Sequence, residues 1–333
     1  MAVTVKTKNQ ESGIRDHFGR IGVLMGGISN EREISLKSGM AVYEALETLN
    51  LDVMNLDIIE RSRAKLKAWI KDKNIDIAFI ALHGRFGEDG TVQALLEDMG
   101  IAYTGSGARA SMSALNKIDS RSIFSKAGIM IPEAEYLNIS RWSSGNVVIN
   151  RKLPFVVKPA SSGSSIGLTI ARTENKIEDA LRTAFKHDEN VLIEDYIEGR
   201  ELTVGILDQQ PLPVIEVVPK KEFFNYEAKY TKGLTDYIVP AHLPQEISKA
   251  AQFAALSAHR ALSCSGFSRV DMILDKRGNI FVLEVNTIPG MTQTSLLPKA
   301  ARAAGYTFEN LCLKLLGLAI KKRSLPSLAE DSH

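Results

Sequence analysis

Two carboxylates and an amide stand on neighbouring apolar segments late in the chain: Asp271 within FSRVDMILD, and Glu284 and Asn286 within NIFVLEVN. The intervening Asp275-Lys-Arg-Gly278-Asn has the composition of a hairpin turn. The two segments are therefore expected to pair as antiparallel strands, with Asp271 in cross-strand reach of Glu284 and Asn286. Strand side chains alternate, so Glu284 and Asn286 are expected on one face and Leu283 and Val285 on the other. A carboxylate is costly to bury unless something pairs it. Either this face is a solvated side of a sheet or a cation sits on it. Two carboxylates and an amide oxygen, with no His or Cys nearby, form a hard all-oxygen set that suits Mg²⁺. Arg269, on the same face as Asp271, invites an anion as well, and Mg²⁺ with a phosphate satisfies both demands.

A phosphate needs a cradle. Lys158 closes the segment FVVKP and is followed by Ala160-Ser-Ser-Gly-Ser-Ser-Ile-Gly167, whose successive N–H groups and hydroxyls could form an anion-binding turn or a plain surface hairpin. No Walker pattern G-x-x-x-x-G-K-[ST] occurs in the chain. Gly105-Ser-Gly107-Ala-Arg-Ala110 superficially fits the dinucleotide fingerprint, but no strand-end acid follows about 20 residues on, so it reads as a turn and helix start. His83 follows IDIAFIAL directly, and Glu31 stands where the first strand turns into a helix; each serves a ligand or only its local backbone. Glu194, in VLIEDYIEGRE, lies where one unit crosses into the next, and cofactor pockets favour such crevices.

The elements that must position these residues follow from periodicity. From Ile21 a strand (IGVLM), a Gly26-Gly27 turn, a helix over about 31–49, a strand (DVMNLD), a helix over about 61–71, a strand (IDIAFIAL), the loop HGRFGEDG and a helix (TVQALLEDM) alternate, which predicts a parallel sheet covered on both faces. Ligands collect at the carboxyl ends of such strands, where both Gly-rich turns lie. Asn30 and Glu33 are expected to form a capping box on the first helix. A second unit begins near Lys117 and contains a Ser-rich hairpin between two strands. A third runs from Gly199 through four strands and an Ala-rich helix over about 245–262, and a helix over 308–321 closes the pattern.

The bounds are those of an ordinary globular chain: 333 residues, 44% hydrophobic, 24% charged, net charge +2. That balance excludes a binder of nucleic acid or membrane surfaces that works by bulk charge. Two cysteines make no disulfide framework. The polar start lacks the apolar core of a secretory signal, and no apolar run approaches 18 residues, so a cytoplasmic protein is expected.

Eight stretches, in order and at consistent spacing, carry a resemblance: GGISNEREISLKSG, ALHGRFGEDGTVQ, YTGSG, KPASSGSSIG, VLIEDYIEGRELTV, YEAKY, GFSRVDMILD and EVNTIPGMTQTSLLP. From about Gly22 to Leu318 the chain resembles the D-alanine–D-alanine ligases of the ATP-grasp superfamily. The resemblance implies an α/β fold: an N-terminal extension (1–20), a Rossmann-like parallel-sheet domain (21–116), two α+β subdomains that clamp ATP (117–198 and 199–322) and a tail (323–333). It implies ATP-dependent joining of two D-alanines through an acyl phosphate, for peptidoglycan precursors, with two Mg²⁺ ions (Mn²⁺ as a substitute) and a homodimer.

Residue by residue, the resemblance makes Asp271, Glu284 and Asn286 the metal ligands. Lys117, Lys158, Ser164, Ser165 and Lys229 touch the ATP phosphates, Glu194 with the backbone of Asp195 and Ile197 takes the adenine, and Glu201 takes the ribose. Glu31 holds the first D-alanine's ammonium and His83 supports its carboxylate. Tyr230 and Ser164 bond with Glu31 and close the site. Arg269 and the Gly290 backbone stabilise the oxyanion, and Ser295 with Leu296 seats the second carboxylate. Ser161-Ser162 depart from the charged residues common in that loop.

Overall fold

Strands β1 (Ile21–Gly26), β2 (Val53–Ile58), β3 (Ile77–Ile80) and β4 (Ala102–Tyr103) form a parallel sheet in the order β2-β1-β3-β4. The structure is a computed structural model and describes residues 17–60, 62–145, 148–163, 165–220 and 235–324. Helices Arg32–Thr48, Arg63–Lys73 and Thr91–Asp98 alternate with these strands, as the hydrophobic pattern requires. Every residue of β1 and β3 is buried, the signature of a parallel strand covered on both faces. Leu24, Ile80, Leu82, Leu95 and Leu96 anchor the core of this first unit, and Ile288 from the far end of the sequence joins it. Burying each such side chain contributes about 1.5–3 kcal/mol. Helices Leu296–Ala303 and Phe308–Ser324 belong to the same unit.

The expected capping box does not form. The first helix starts at Arg32 with Glu31 at its N-cap and no side-chain cap bond. Ser29 takes over the role: its Oγ accepts from the Glu31 N–H at 3.2 Å and its carbonyl accepts from the Arg32 N–H at 3.2 Å. Gly26 and Gly27 at φ of 80° and 84° turn the chain sharply ahead of Ser29, and the N-cap position falls at Glu31, one residue after Asn30.

The second unit spans Arg109–Cys264 and Ser268–Thr287 and holds two antiparallel arrangements. In one, β5 (Ala134–Asn138), β6 (Phe155–Pro159), β7 (Thr169–Ala171) and β8 (Asn190–Asp195) run in the order β5-β8-β6-β7. The β6–β7 pair is the Ser-rich hairpin. Helix Ile177–Phe185 packs Leu181 and Phe185 on this sheet beside Phe155 and Ile193, and Trp142 stacks on Phe185 at 4.9 Å.

In the other, β9 (Gly199–Leu207), β11 (Ile215–Pro219), β12 (Thr235–Ile238), β13 (Phe267–Asp275) and β14 (Ile280–Asn286) follow the order β12-β11-β9-β13-β14, with the short β10 (Gln210–Pro211) pairing β9. Helix Gln245–Ala261 turns Ala251, Ala255 and Ala258 inward, a stripe of small side chains at helical spacing that lets it approach Val204, Val270 and Met272.

The β13–β14 hairpin forms as expected, with Asp275 N–H bonded to the Asn279 carbonyl at 2.9 Å. Its alternation, however, is interrupted. Asp271 pairs Glu284, but Met272 already pairs Val282, so the register shifts and Leu283 is the extra residue of a bulge. Val282 and Val285 are therefore both in the core, and Leu283 drops out of the face it was expected to share with Val285. Among the described residues no helix is long and apolar enough to cross a membrane.

Candidate functional site

The first unit gathers Glu31 and His83 where the carboxyl ends of β1 and β3 open, the position at which a parallel sheet offers backbone groups to a ligand. Both side chains are buried, at 6% and 5% exposure. A Cβ on Gly84 would lie 2.7 Å from Glu31 Oε2, so the carboxylate rests against the backbone one residue past His83. Ser29 Oγ donates to the His83 carbonyl at 2.7 Å and ties the two loops together.

His83 is held from both sides. Its Nδ1 lies 3.4 Å from Glu88 Oε1 and its Nε2 lies 3.1 Å from Ser38 Oγ. A carboxylate only accepts, which puts the proton of a neutral ring on Nδ1 and leaves Nε2 to accept from Ser38. Ser38 Oγ also accepts from the Met291 N–H at 3.2 Å, which links this network to the residue after Gly290. Ser295 Oγ accepts from the Thr292 N–H at 3.1 Å and packs against Gly290, and Leu296 opens the helix behind it. Glu31, His83, Gly290, Ser295 and Leu296 thus belong to one unit.

The second unit collects the charged groups. Asn116 caps helix Lys117–Lys126 through its Oδ1, leaving Lys117 at the first helical position with its Nζ donating to the Ser162 carbonyl at 2.7 Å. Lys117 Nζ also lies 3.3 Å from Glu284 Oε2. Lys158, on β6, donates to Glu194 Oε1 on the neighbouring β8. Arg121 Nη1 donates to the other oxygen of Glu194 at 3.1 Å. Burial pushes the Lys158 pKa down, while the Glu194 charge beside it pulls the other way and Lys117 adds to the lowering. Arg269 grips Asp271 with two bonds of 2.8 and 2.7 Å, and Thr203 Oγ1 donates to the same carboxylate at 2.7 Å. Glu201 lies on β9 opposite Val217 and Asp195 pairs with Arg151. Ile197 follows β8, and Ser165 lies in the loop at φ 58°. Ser164, Lys229 and Tyr230 lie outside the described residues.

Asp271, Glu284 and Asn286 fit a hard divalent cation by their chemistry. Asp271 and Glu284 are direct cross-strand partners, and Asn286 is opposite Arg269 on the same pair of strands. The set is all oxygen, and among the described residues no cluster of three or more His, Cys, Asp or Glu groups offers a competing site.

Arg121, Thr203 and Ser38 escaped the sequence. Arg121 follows Lys117 by four residues, so the two cations share one helix face; that spacing was the available signal.

A parallel-sheet unit followed by two antiparallel sheets, with lysines facing acids across them, defines the ATP-grasp class of α/β proteins. A family model described as the D-ala D-ala ligase C-terminus matches residues 123–317, and one described as the D-ala D-ala ligase N-terminus matches residues 59–106. The chain belongs to the D-alanine–D-alanine ligase family. It is 46% identical over 308 residues to the D-alanine–D-alanine ligase of Geotalea uraniireducens, covering 92% of this chain and 97% of that one. With the enzyme of Trichlorobacter lovleyi it is 47% identical over 294 residues, covering 88% and 92%. Among solved structures, the D-alanine–D-alanine ligase of Bacillus anthracis complexed with ATP superposes with a TM-score of 0.79 at 36% identity, covering 91% of this chain and 98% of that one. The VanG D-Ala:D-Ser ligase of Enterococcus faecalis superposes at 0.77 with 31% identity, covering 91% and 99%.

Proposed function

We propose that this protein joins two D-alanines into D-alanyl-D-alanine at the expense of ATP, releasing ADP and phosphate. The observation that carries the reading is the charge cluster of the second unit, in which Lys117, Lys158 and Arg269 each contact a carboxylate, within a chain whose relatives bear this name over nine-tenths of its length.

A carboxylate does not acylate an amine unaided, since its oxygen is too poor a leaving group. In the proposed first step a carboxylate oxygen of one D-alanine attacks the γ-phosphorus, the bond to ADP breaks, and an acyl phosphate forms. In the second, the neutral amine of the other D-alanine attacks the acyl carbon, a tetrahedral intermediate forms, and phosphate leaves as the amine's extra proton is lost to solvent. Glu31 would pair the first ammonium and His83 would support the first carboxylate. Glu88 and Ser38 hold the His83 ring in place from both sides. Lys117, Lys158, Ser164, Ser165 and Lys229 would neutralise the phosphates. Glu194, with the backbone of Asp195 and Ile197, would meet the adenine and Glu201 the ribose. Arg269 and the Gly290 N–H would hold the oxyanion, and Ser295 and Leu296 would seat the second substrate. Tyr230 and Ser164 would help close the site over a water-sensitive intermediate. Asp271, Glu284 and Asn286 would hold two Mg²⁺ ions, or Mn²⁺ in their place; the metal supplies charge neutralisation between the phosphates when bound.

The same reading makes 21–116 the Rossmann-like domain and 117–198 with 199–322 the two subdomains that clamp ATP, in a cytoplasmic homodimer that feeds peptidoglycan precursor synthesis. Incubation of the purified protein with ATP, Mg²⁺ and D-alanine tests it. Equimolar ADP and dipeptide are expected, with no turnover when D-alanine is omitted; AMP with pyrophosphate, or ADP without dipeptide, would overturn it.

A further inference from the structure

Glu194 differs from an ordinary buried acid in having one cation on each oxygen. Lys158 approaches Oε1 and Arg121 approaches Oε2 at 3.1 Å, and the Arg121 and Glu194 side chains are each 4% exposed. Arg121 is fixed in place: its Nη2 donates to the Pro132 carbonyl. Its Nε has no hydrogen-bond partner among the described residues, so the guanidinium is held by one carboxylate and one carbonyl. Lys158 ends in a compact ammonium on a flexible stem, able to redirect its donors without moving the backbone. Among the groups Lys117, Arg121, Lys158, Arg269, Glu194, Asp271 and Glu284 there are four cations and three carboxylates, and Arg121 is the cation not assigned to a ligand.

A lysine that serves a phosphate must first leave its present partner, and a buried carboxylate abandoned by its only cation is strongly disfavoured. We propose that Arg121 is a positioning residue for the nucleotide site: by holding the Glu194 charge it frees Lys158 to pass from Glu194 to an ATP phosphate. This rests on the ligase reading of that site. Without Arg121, Lys158 stays locked on Glu194 and the phosphate loses its counter-charge. Removing the Glu194 charge unlocks it again, so the two side chains are coupled in nucleotide affinity and not only in stability.

The test is calorimetric titration of the full-length protein with MgATP in the absence of D-alanine, on wild type, Arg121→Gln, Arg121→Lys, Glu194→Gln and the Arg121→Gln/Glu194→Gln double variant. Arg121→Gln is expected to weaken ATP binding by about tenfold or more, the size of one lost charge-assisted contact. Arg121→Lys keeps the charge and is expected to stay within about threefold of wild type. In the Glu194→Gln background the same Arg121→Gln change is expected to cost less than about threefold. Equal losses in the two backgrounds, or an Arg121→Gln variant that binds ATP as wild type does, would overturn the proposal while leaving the ligase reading intact. A wild-type protein that does not bind MgATP would remove both. If Arg121→Gln does not fold, the double variant compared with Glu194→Gln keeps the proposal falsifiable: the two are expected to match, and a gap of about tenfold overturns the exchange.

Discussion

Glu284 and Asp271 face each other across β13 and β14, and each already has a cation at hand, Lys117 for one and Arg269 for the other. Such pairing sets a positive charge against each carboxylate. It also means that the proposed metal ligands and phosphate ligands neutralise one another until substrate arrives. Glu284→Gln keeps shape and removes the charge. Dipeptide synthesis is expected to fall by about 10²-fold or more, the scale of losing one electrostatic element of such a site. The thermal midpoint is expected to hold, because the side chain is only partly buried, at 25% exposure. Turnover at the wild-type rate would exclude Glu284 as a metal ligand. Asp271, Glu284, Asn286, Arg269 and Lys158 were legible in the sequence because charged residues on apolar strands stand out against period-two patterning. Arg121 was not. A charged residue on a polar helix reads as solvent-facing, and nothing local in KIDSRSIFSK reveals that the face carrying Lys117 and Arg121 is covered.

Helix Gln245–Ala261 is pinned by a histidine that periodicity left without a role. His259 is fully buried; its Nδ1 lies 2.7 Å from Ser268 Oγ, one residue before Arg269, and its Nε2 faces the Gln209 amide at 3.2 Å on the β9–β10 turn. Arg260 donates to Gln209 from the next position. Burial, reinforced by the Arg260 charge, lowers the His259 pKa from its ordinary 6.5 to about 4. The native state therefore refuses a proton that the unfolded chain accepts. The resulting stability is complete above about pH 6.5 and is lost as pH falls toward 4, amounting to about 3 kcal/mol across that window. His259→Gln is expected to flatten the decline in denaturation midpoint between pH 6.5 and 4. A decline as steep as in wild type would show that another group carries the proton linkage. Helices and strands of both units were readable from period and turn residues. The Ser29 cap and the Leu283 bulge were not, since both depend on where neighbouring backbone turns: the Gly26-Gly27 corner in one case, the β13 register in the other.

On the scale of the whole chain, the substrate side of the proposed site is assembled from residues far apart in sequence. Ser38 and Met291, 253 positions apart, share a hydrogen bond in the first unit, while 109–264 is set between them as part of the second. Ordered motifs identify the family, but the return of 288–324 to the first unit is a packing event, driven by Ile288 and the closing helices burying their apolar faces. The central claim is chemical: two D-alanines are joined because ATP first phosphorylates a carboxylate. Oxygen transfer tests it most directly. D-alanine labelled with ¹⁸O in both carboxylate oxygens is turned over with unlabelled ATP and Mg²⁺, and the phosphate and dipeptide are weighed by mass spectrometry. An acyl phosphate sends one labelled oxygen into each phosphate released, leaving one in the new amide carbonyl and two in the terminal carboxylate. Unlabelled phosphate formed alongside dipeptide would contradict the account.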